Sequence, residues 1–206
     1  MQRIFKGVQA CINNHLNRDI VDIPCGAHTS NLAVGHACDC SLEYINLFRL
    51  LQELYDYFAS SAKRYYVFRE EIDKSTYGLS IKSSSDTRWN VNYESIHSVI
   101  ESFDEIIRCF EFVEKEEQFD AQSKLQAKNL RNKLTSYEMF ILLKFMENVI
   151  PNTNSLTIHL QSKQLDILSS IELLNNTLKL IQIMRNDDQS LKNILLVGGV
   201  ICIIHP

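Results

Sequence analysis

Apolar residues recur at spacings of three and four along most of this chain, which is the pattern of helices that bury one face. In the first segment, Val8, Ile12 and Leu16 fall on one stripe. The pattern is helical again after His28 and stays so. Helices are predicted over residues 2–16, 42–58, 61–74, about 90–117, 119–132, 136–149 and 153–186.

Polar residues and proline mark where these helices begin and end. Ser136 is placed to cap the helix that follows it. Pro151 is expected to end that helix, because proline has no N–H to donate to the preceding turn. Residues 75–87 are rich in Ser, Thr and Gly, so they are predicted to form a loop.

A short run between the first two helical segments breaks the helical pattern. Ile20, Val21 and Ile23 are β-branched, and Pro24 ends the run, so a strand is predicted here. One strand alone would leave its backbone N–H and C=O groups unpaired. Either this strand prediction is wrong, or the other strands of its sheet are expected outside the 206 residues.

Composition indicates a globular, mainly helical protein. Hydrophobic residues make up 45% of the chain, and there are only six Gly and three Pro. The formal net charge of −4 lacks the basic excess of an autonomous nucleic-acid-binding domain. The apolar run 194–204 is too short to span a membrane, and the N-terminus does not look like a signal peptide. The six cysteines show no disulfide-framework spacing, which favours a reduced, intracellular protein.

Three cysteines and two histidines lie close together in residues 25–40, and three interpretations are open. A zinc site would use Cys25, His28, His36 and Cys38 or Cys40, but the helical pattern between the two groups lacks the knuckle that such sites use. A nucleophilic Cys–His pair would need an orienting group and an oxyanion hole. The residues alone favour the third interpretation, in which the cysteines fill small apolar spaces and the histidine makes a local hydrogen bond.

The predicted helix at 90–117 carries an acidic outer face. The simplest interpretation is a solvated surface, and a basic partner is the alternative. The residues of this face are Glu101, Asp104, Glu105, Glu111, Glu114, Glu116 and Glu117.

Five segments occur in an order that carries more information than any one of them. They are GVQACI at 7–12, CGAHTSNLAV at 25–34, LYDYFASSAKRYYVF at 54–68, SSDTRWNVNYESI at 84–96, and residues 151–187. Together they resemble hAT-type DNA transposases, in particular the domesticated transposase-like segment of zinc-finger MYM-type nuclear proteins. The recurring marks of that family are a Cys-x-x-His after a strand, here Cys25 and His28, and an Arg-Trp after a polar loop, here Arg88 and Trp89.

The resemblance implies a mainly α fold in which the edge of an incomplete ribonuclease H-like α/β core is followed by a helical insertion domain. It divides the chain into a partial ribonuclease H-like core, a helical connection with a polar loop, the insertion domain and a divergent apolar tail. The corresponding ranges are 1–40, 41–89, 90–188 and 189–206.

The family's acidic triad for two-metal strand transfer has no matching position in this chain. Asp22, which lies on the predicted strand, is not at a triad position. The chain is therefore expected to have no catalytic residues, no bound metal, no cofactor and no enzymatic activity.

Arg88 and Trp89 are the expected nucleic-acid-binding residues. The resemblance implies that Trp89 stacks on a DNA base, with Arg88 at a phosphate. The alternative is that Trp89 packs at the start of the long helix, with Asp86 or Thr87 as its cap. So few basic residues near this loop predict weak binding.

The functional expectation is a non-catalytic fragment of a hAT transposase-derived nuclear protein that retains some nucleic-acid or protein binding. The alternatives are an all-helical protein-interaction scaffold and a small zinc protein built on residues 25–40. Expected partners are DNA, bound weakly, and other proteins or further copies of this chain. No membrane partner and no small-molecule substrate is expected, and the protein is expected in the nucleus or elsewhere inside the cell.

Overall fold

A computed structural model describes residues 7–18, 25–76, 78–84, 89–162, 166–190 and 192–195 of the chain. The described part is mainly helical, which confirms that part of the fold prediction, and it contains no strand. The strand predicted at 20–23 lies outside the described residues. The helices are α1 (Gly7–Leu16), α2 (Gly26–Asp39), α3 (Leu42–Ala59), α4 (Ala62–Lys74), α5 (Trp89–Glu101), α6 (Phe103–Lys115), α7 (Ala121–Leu134), α8 (Tyr137–Leu160) and α9 (Ile167–Arg185).

Several helices begin at polar caps. The Ser136 hydroxyl accepts a hydrogen bond from the Met139 N–H, which confirms the predicted cap of α8. At the start of α7, the Asp120 carboxylate accepts from the Ser123 N–H at 2.9 Å. These bonds satisfy N–H groups that have no partner within the first turn of a helix.

The prediction of a single long helix at about 90–117 is wrong. The chain instead forms two helices, α5 and α6, with a break at Ser102. Ser102 is fully buried, and its φ of −112° and ψ of 21° depart from helical values. Its hydroxyl bonds to the backbone of Leu79 in the preceding loop. Serine side chains that bond in this way compete with regular helical geometry.

The prediction that Pro151 ends a helix is also wrong, because α8 continues through it to Leu160. Ile150, Thr153 and Leu156 are buried on both sides of the proline, so packing of these turns offsets the missing backbone hydrogen bond. The helix predicted at 153–186 is correspondingly two helices, the second half of α8 and then α9.

Helices α3 to α8 enclose one hydrophobic core. Its centre is a group of aromatic rings, in which Phe58 stacks on Phe68 and on Phe110 with ring centroids 4.6 and 5.6 Å away. Helix α2 packs on the second half of α8, where the Thr157 hydroxyl donates to Asn31 at 3.1 Å. Residues before and after position 89, the predicted start of the insertion domain being residue 90, contribute to this one core. The domain boundaries at 40, 89 and 188 stay predictions.

The acidic face of α5 and α6 was interpreted as a solvated surface. That interpretation is wrong for Glu105. Glu105 is buried and pairs with Arg108 at 2.8 Å. Glu114, on the same face, accepts two hydrogen bonds from Arg131 and so links α6 to α7. Glu101 and Asp104 are exposed, as predicted.

Candidate functional site

Three buried serines fix the loop before Trp89. Two of them lie on α5, and the third, Ser102, lies at the break that follows α5. Ser102 bonds to both backbone groups of Leu79. One turn earlier, Ser98 accepts from the Lys82 N–H at 3.3 Å, and Ser95 donates to the Lys82 carbonyl at 3.0 Å. The serines lie three and four residues apart, so their hydroxyls share one face of the helix. The backbone groups of Leu79 and Lys82 thereby obtain hydrogen-bond partners within the protein.

A glutamine of α3 fixes the other end of this loop. Gln52 Oε1 accepts from the Ser83 hydroxyl at 3.0 Å and from the Ser84 N–H at 3.2 Å. Ile81, between these contacts and Leu79, is buried in the core. The chain is therefore anchored to α3 and α5 up to Ser84.

The expected nucleic-acid-binding pair follows this anchored loop. Trp89 is the first residue of α5. Arg88 and the side chain of Trp89 lie outside the described part of the structure, as do Asp86 and Thr87. The DNA-binding role implied for Arg88 and Trp89, and the alternative in which Trp89 packs in the core, both stay predictions.

The Cys-x-x-His pair lies at the start of α2. Cys25 has an extended conformation just before the helix, and its carbonyl accepts from the backbone N–H of Thr29 at 3.0 Å. His28 follows on the first turn of α2, and its imidazole makes no hydrogen bond to another described residue. Both side chains are exposed to solvent. The interpretation of Cys25 as an apolar filler is therefore wrong. The local hydrogen bond of His28 stays a prediction.

The other cysteines of this segment differ in environment. Cys40 is exposed, so it is not a filler either. Cys38 is partly buried, and burial followed by the nearby charge of Asp39 raises the pKa of its thiol to about 11. A raised pKa makes a cysteine a poor nucleophile, because the thiolate is the reactive form. Within the described ranges, no group of three or more His, Cys, Asp or Glu side chains could hold a metal ion.

Among the described helices, α9 presents the largest set of exposed apolar side chains. Its least exposed side faces α8, where Thr177 is buried and Met184 Sδ lies 3.5 Å from Asn152 Nδ2. A second apolar stripe lies beside that face. This second stripe, here called the open stripe, consists of Ile167, Ile171, Leu174 and Leu178, which are 43–68% exposed.

The open stripe has the spacing of a helix seam that packs against another helix. Its members are four, three and four residues apart, which matches the a and d positions of a heptad. Contiguous exposed apolar surface of this kind marks interaction sites in soluble proteins. Helix α1 also leaves apolar residues open, since Val8, Ile12 and Leu16 are exposed.

Periodicity alone did not separate the two stripes of α9. The sequence prediction treated the apolar residues of 153–186 as one buried face. The signal that could have separated them is the width of the apolar surface, because two adjacent stripes are more than one neighbouring helix can cover.

No known protein-family model matches this chain, and no solved structure matches it either. Among the described residues, no helix combines the length and apolar character that crossing a membrane requires.

Proposed function

We propose that this chain is a non-catalytic, protein-binding helical module of a hAT transposase-derived nuclear protein. The transposase origin rests on the sequence resemblance. The observation that carries the binding function is the open stripe of α9, which offers four large apolar side chains at heptad spacing. The partner that this surface fits is an apolar helix of another protein, with leucine or isoleucine at the matching heptad positions.

The packing of α9 on α8 supports this role because it presents the stripe on a helix that is already formed. Burial of Thr177 and the contact between Asn152 and Met184 position α9 on α8. Helix α8 is in turn held in the core by Leu143, Met146 and Ile150. A partner helix would therefore meet a surface that is already helical, so less conformational entropy is lost on binding.

A synthetic helical peptide with leucine at every a and d position tests the proposal. Saturable binding to the full chain, measured by fluorescence anisotropy, is expected for the wild type. The double substitution Leu174→Asp/Leu178→Asp should abolish it, because two carboxylates would be buried in the seam. The matched control Asn176→Asp/Lys179→Asp changes two exposed positions off the stripe and should bind normally. Equal binding by the stripe variant and the wild type would overturn the proposal.

Weak nucleic-acid contact through Arg88 and Trp89 is the second candidate function. The observation that favours it is the anchored loop, which holds the chain on α3 and α5 just before these residues. Trp89 is the only tryptophan, so its fluorescence should be quenched by single-stranded DNA if its ring stacks on bases. If single-stranded DNA did not quench the fluorescence, the role of Trp89 would be contradicted. If Arg88→Ala at low salt left the quenching unchanged, the role of Arg88 would be contradicted.

The absence of catalysis is part of the proposal and has its own measurement. Neither strand cleavage nor strand transfer is expected with Mg²⁺ or Mn²⁺, because the chain offers no triad carboxylates in the arrangement that the resemblance requires. Metal-dependent cleavage that survives repeated purification would show this part of the proposal to be wrong.

A further inference from the structure

A groove with an apolar floor lies where α5, α6 and α8 meet. Its cavity measures about 580 Å³. The floor is formed by Ile100, Phe103, Phe140 and Leu143, and the two aromatic rings meet edge to face with centroids 5.9 Å apart. Phe103 is partly exposed at this floor, whereas Phe140 and Leu143 are buried. An open groove with partly exposed apolar surface can accept an apolar side chain from outside.

The rim of this groove is negatively charged. Glu105 and Glu147 lie on the rim, but each has a cationic partner, Arg108 for the first and Lys144 for the second. Glu101 and Asp104 also line the groove, and neither forms an ion pair with another described residue. These two carboxylates give the groove an uncompensated negative charge, which favours a cationic occupant.

Helix α7 carries a surface with the complementary properties. Leu125 is 60% exposed on its outer side. Lys124, which is partly exposed, and Lys128, which is exposed, lie on one side of it on the helix surface. Neither forms an ion pair with another described residue. In contrast, Arg131 and Lys133 of the same helix are already paired with glutamates. The surface formed by Lys124, Leu125 and Lys128, here called the α7 patch, combines one apolar anchor with two available positive charges.

We propose that the groove of one copy of the chain binds the α7 patch of a second copy. Leu125 would lie over the floor between Phe103 and Phe140, with Lys124 and Lys128 near Glu101 and Asp104. Groove and patch are different surfaces, so the contact is heterologous, and it forms a ring or an open chain of copies. This self-association uses surfaces other than the open stripe of α9, and it goes beyond the proposed function.

The association is weak and sensitive to salt. Exposed ion pairs contribute little individually, and one leucine is the only large apolar anchor. Copies should therefore associate only at high protein concentration. The Debye length falls from about 10 Å at 0.1 M salt to about 3 Å at 1 M, so the higher salt concentration should dissociate them.

Sedimentation velocity of the full chain over a series of concentrations tests this inference. At about 0.1 M salt the weight-average sedimentation coefficient should rise with concentration, and at about 1 M it should stay at the monomer value. Association that persists or strengthens at the higher salt would overturn the proposal, because it would indicate apolar contact through another surface such as the open stripe. A monomer under all conditions would overturn it too.

Charge reversal identifies the two surfaces. A groove variant, Glu101→Lys/Asp104→Lys, should not self-associate, and neither should a patch variant, Lys124→Glu/Lys128→Glu. An equimolar mixture of the two should associate again, because the unchanged patch of the groove variant meets the unchanged groove of the patch variant, and the two reversed surfaces also complement each other. Failure of the mixture to associate would overturn the proposed pairing.

A control variant separates this pairing from general charge effects. Glu117→Lys/Asp188→Lys changes the net charge as the groove variant does, at exposed positions away from the groove. It should associate like the wild type, and loss of association would count against the proposal. Thermal unfolding, monitored by circular dichroism, checks that each variant is folded. If the groove variant does not fold, the patch variant still tests the contact.

Discussion

Ser102 and Leu79 exchange two hydrogen bonds across 23 positions of sequence. The Ser102 hydroxyl accepts from the Leu79 N–H at 2.6 Å and donates to the Leu79 carbonyl at 2.7 Å. One buried side chain thus satisfies both backbone groups of a loop residue and marks the break between α5 and α6.

Replacing this serine should destabilise the fold and loosen the loop. Ser102→Ala leaves the Leu79 N–H and C=O without their partner, which costs about 1–3 kcal/mol. The measurements are urea unfolding and hydrogen exchange at the Leu79 amide. The exposed Ser155→Ala on α8 is the control and should change neither. Unchanged exchange at Leu79 in Ser102→Ala would mean that these bonds do not hold the loop.

Arg64 should be sensitive to any substitution, lysine included. Its guanidinium is buried, donates to Ser60, Ser123 and Gln126, and lies 4.2 Å from the centroid of the Tyr57 ring. Lysine cannot reproduce this planar set of contacts. Arg64→Ala should reduce the free energy of unfolding by about 1.5–3 kcal/mol, with Arg64→Lys recovering little of the loss in urea unfolding.

The exposed Arg69, on the same helix, provides a matched control for Arg64. It forms only an exposed pair with Asp73, so Arg69→Ala should change stability by less than about 0.5 kcal/mol. If Arg64→Ala were as mild as Arg69→Ala, the buried contacts of Arg64 would not contribute to stability.

Replacing Pro151 by alanine should stabilise the protein. The proline lies inside α8, is exposed, and leaves one helical hydrogen bond unmade. Alanine can make that bond, and in a helix interior it is favoured over proline by about 3 kcal/mol. About 1 kcal/mol of this gain is offset because alanine gives the unfolded chain more conformational freedom than proline does. The midpoint of thermal unfolding should therefore rise, and a fall would show that the helix is built around the proline ring.

The ion pairs of Glu71 should make part of the stability depend on pH. Hydrogen bonding from Lys74 lowers the pKa of the Glu71 carboxyl most; partial burial opposes this, and the hydrogen bond from Arg108 lowers it further. Because the folded pKa is depressed, this stabilisation is complete above the pKa of a glutamate in the unfolded chain, about 4.3. It is lost as the pH falls through the lower folded value.

The test for Glu71 compares the wild type with Glu71→Gln by urea unfolding. The wild type should be more stable at neutral pH, and the difference should shrink in acid. A constant difference between wild type and Glu71→Gln across this range would contradict the assigned linkage.

The cysteines should react with iodoacetamide in the order of their exposure. Cys25 and Cys40 are exposed, whereas Cys109 is in the core, where burial raises the pKa of its thiol to about 12. Peptide mass spectrometry should find early labelling at the first two and none at Cys109 until denaturant is added. Early labelling of Cys109 in the native protein would indicate that the core opens readily.

The spacing of apolar residues within one segment was enough to predict the regular helices. It was not enough where contacts with residues distant in sequence determine the structure. The periodic apolar residues of α3 and the side-chain cap at Ser136 act within one helix, so both could be predicted. The break at Ser102 could not, because apolar residues such as Ile100 and Phe103 remain in helical step across it. Its cause is a backbone partner in a loop far away in sequence, which no window of neighbouring residues contains.

The candidate sites were predictable to different degrees for the same reason. Cys25 and His28 stand out as a motif, but their exposure follows from how α2 lies on α8. The pairing of Glu105 with Arg108 is local, three residues apart, yet burial of that glutamate depends on neighbouring helices. The apolar floor of the groove combines Phe103 with Phe140, which only the tertiary fold brings together.

The attachment of α9 has a consequence for the order in which the molecule comes apart. In the described part of the chain, α8 is the helix with which α9 makes its extensive contacts, and only Thr177 of α9 is buried. Elements with so little buried surface open at lower free energy than the core. Brief protease treatment should therefore cut within α9 before it cuts the core, which remains as a resistant fragment. A partner bound to the open stripe would slow that cut, because it would bind only molecules in which α9 is folded.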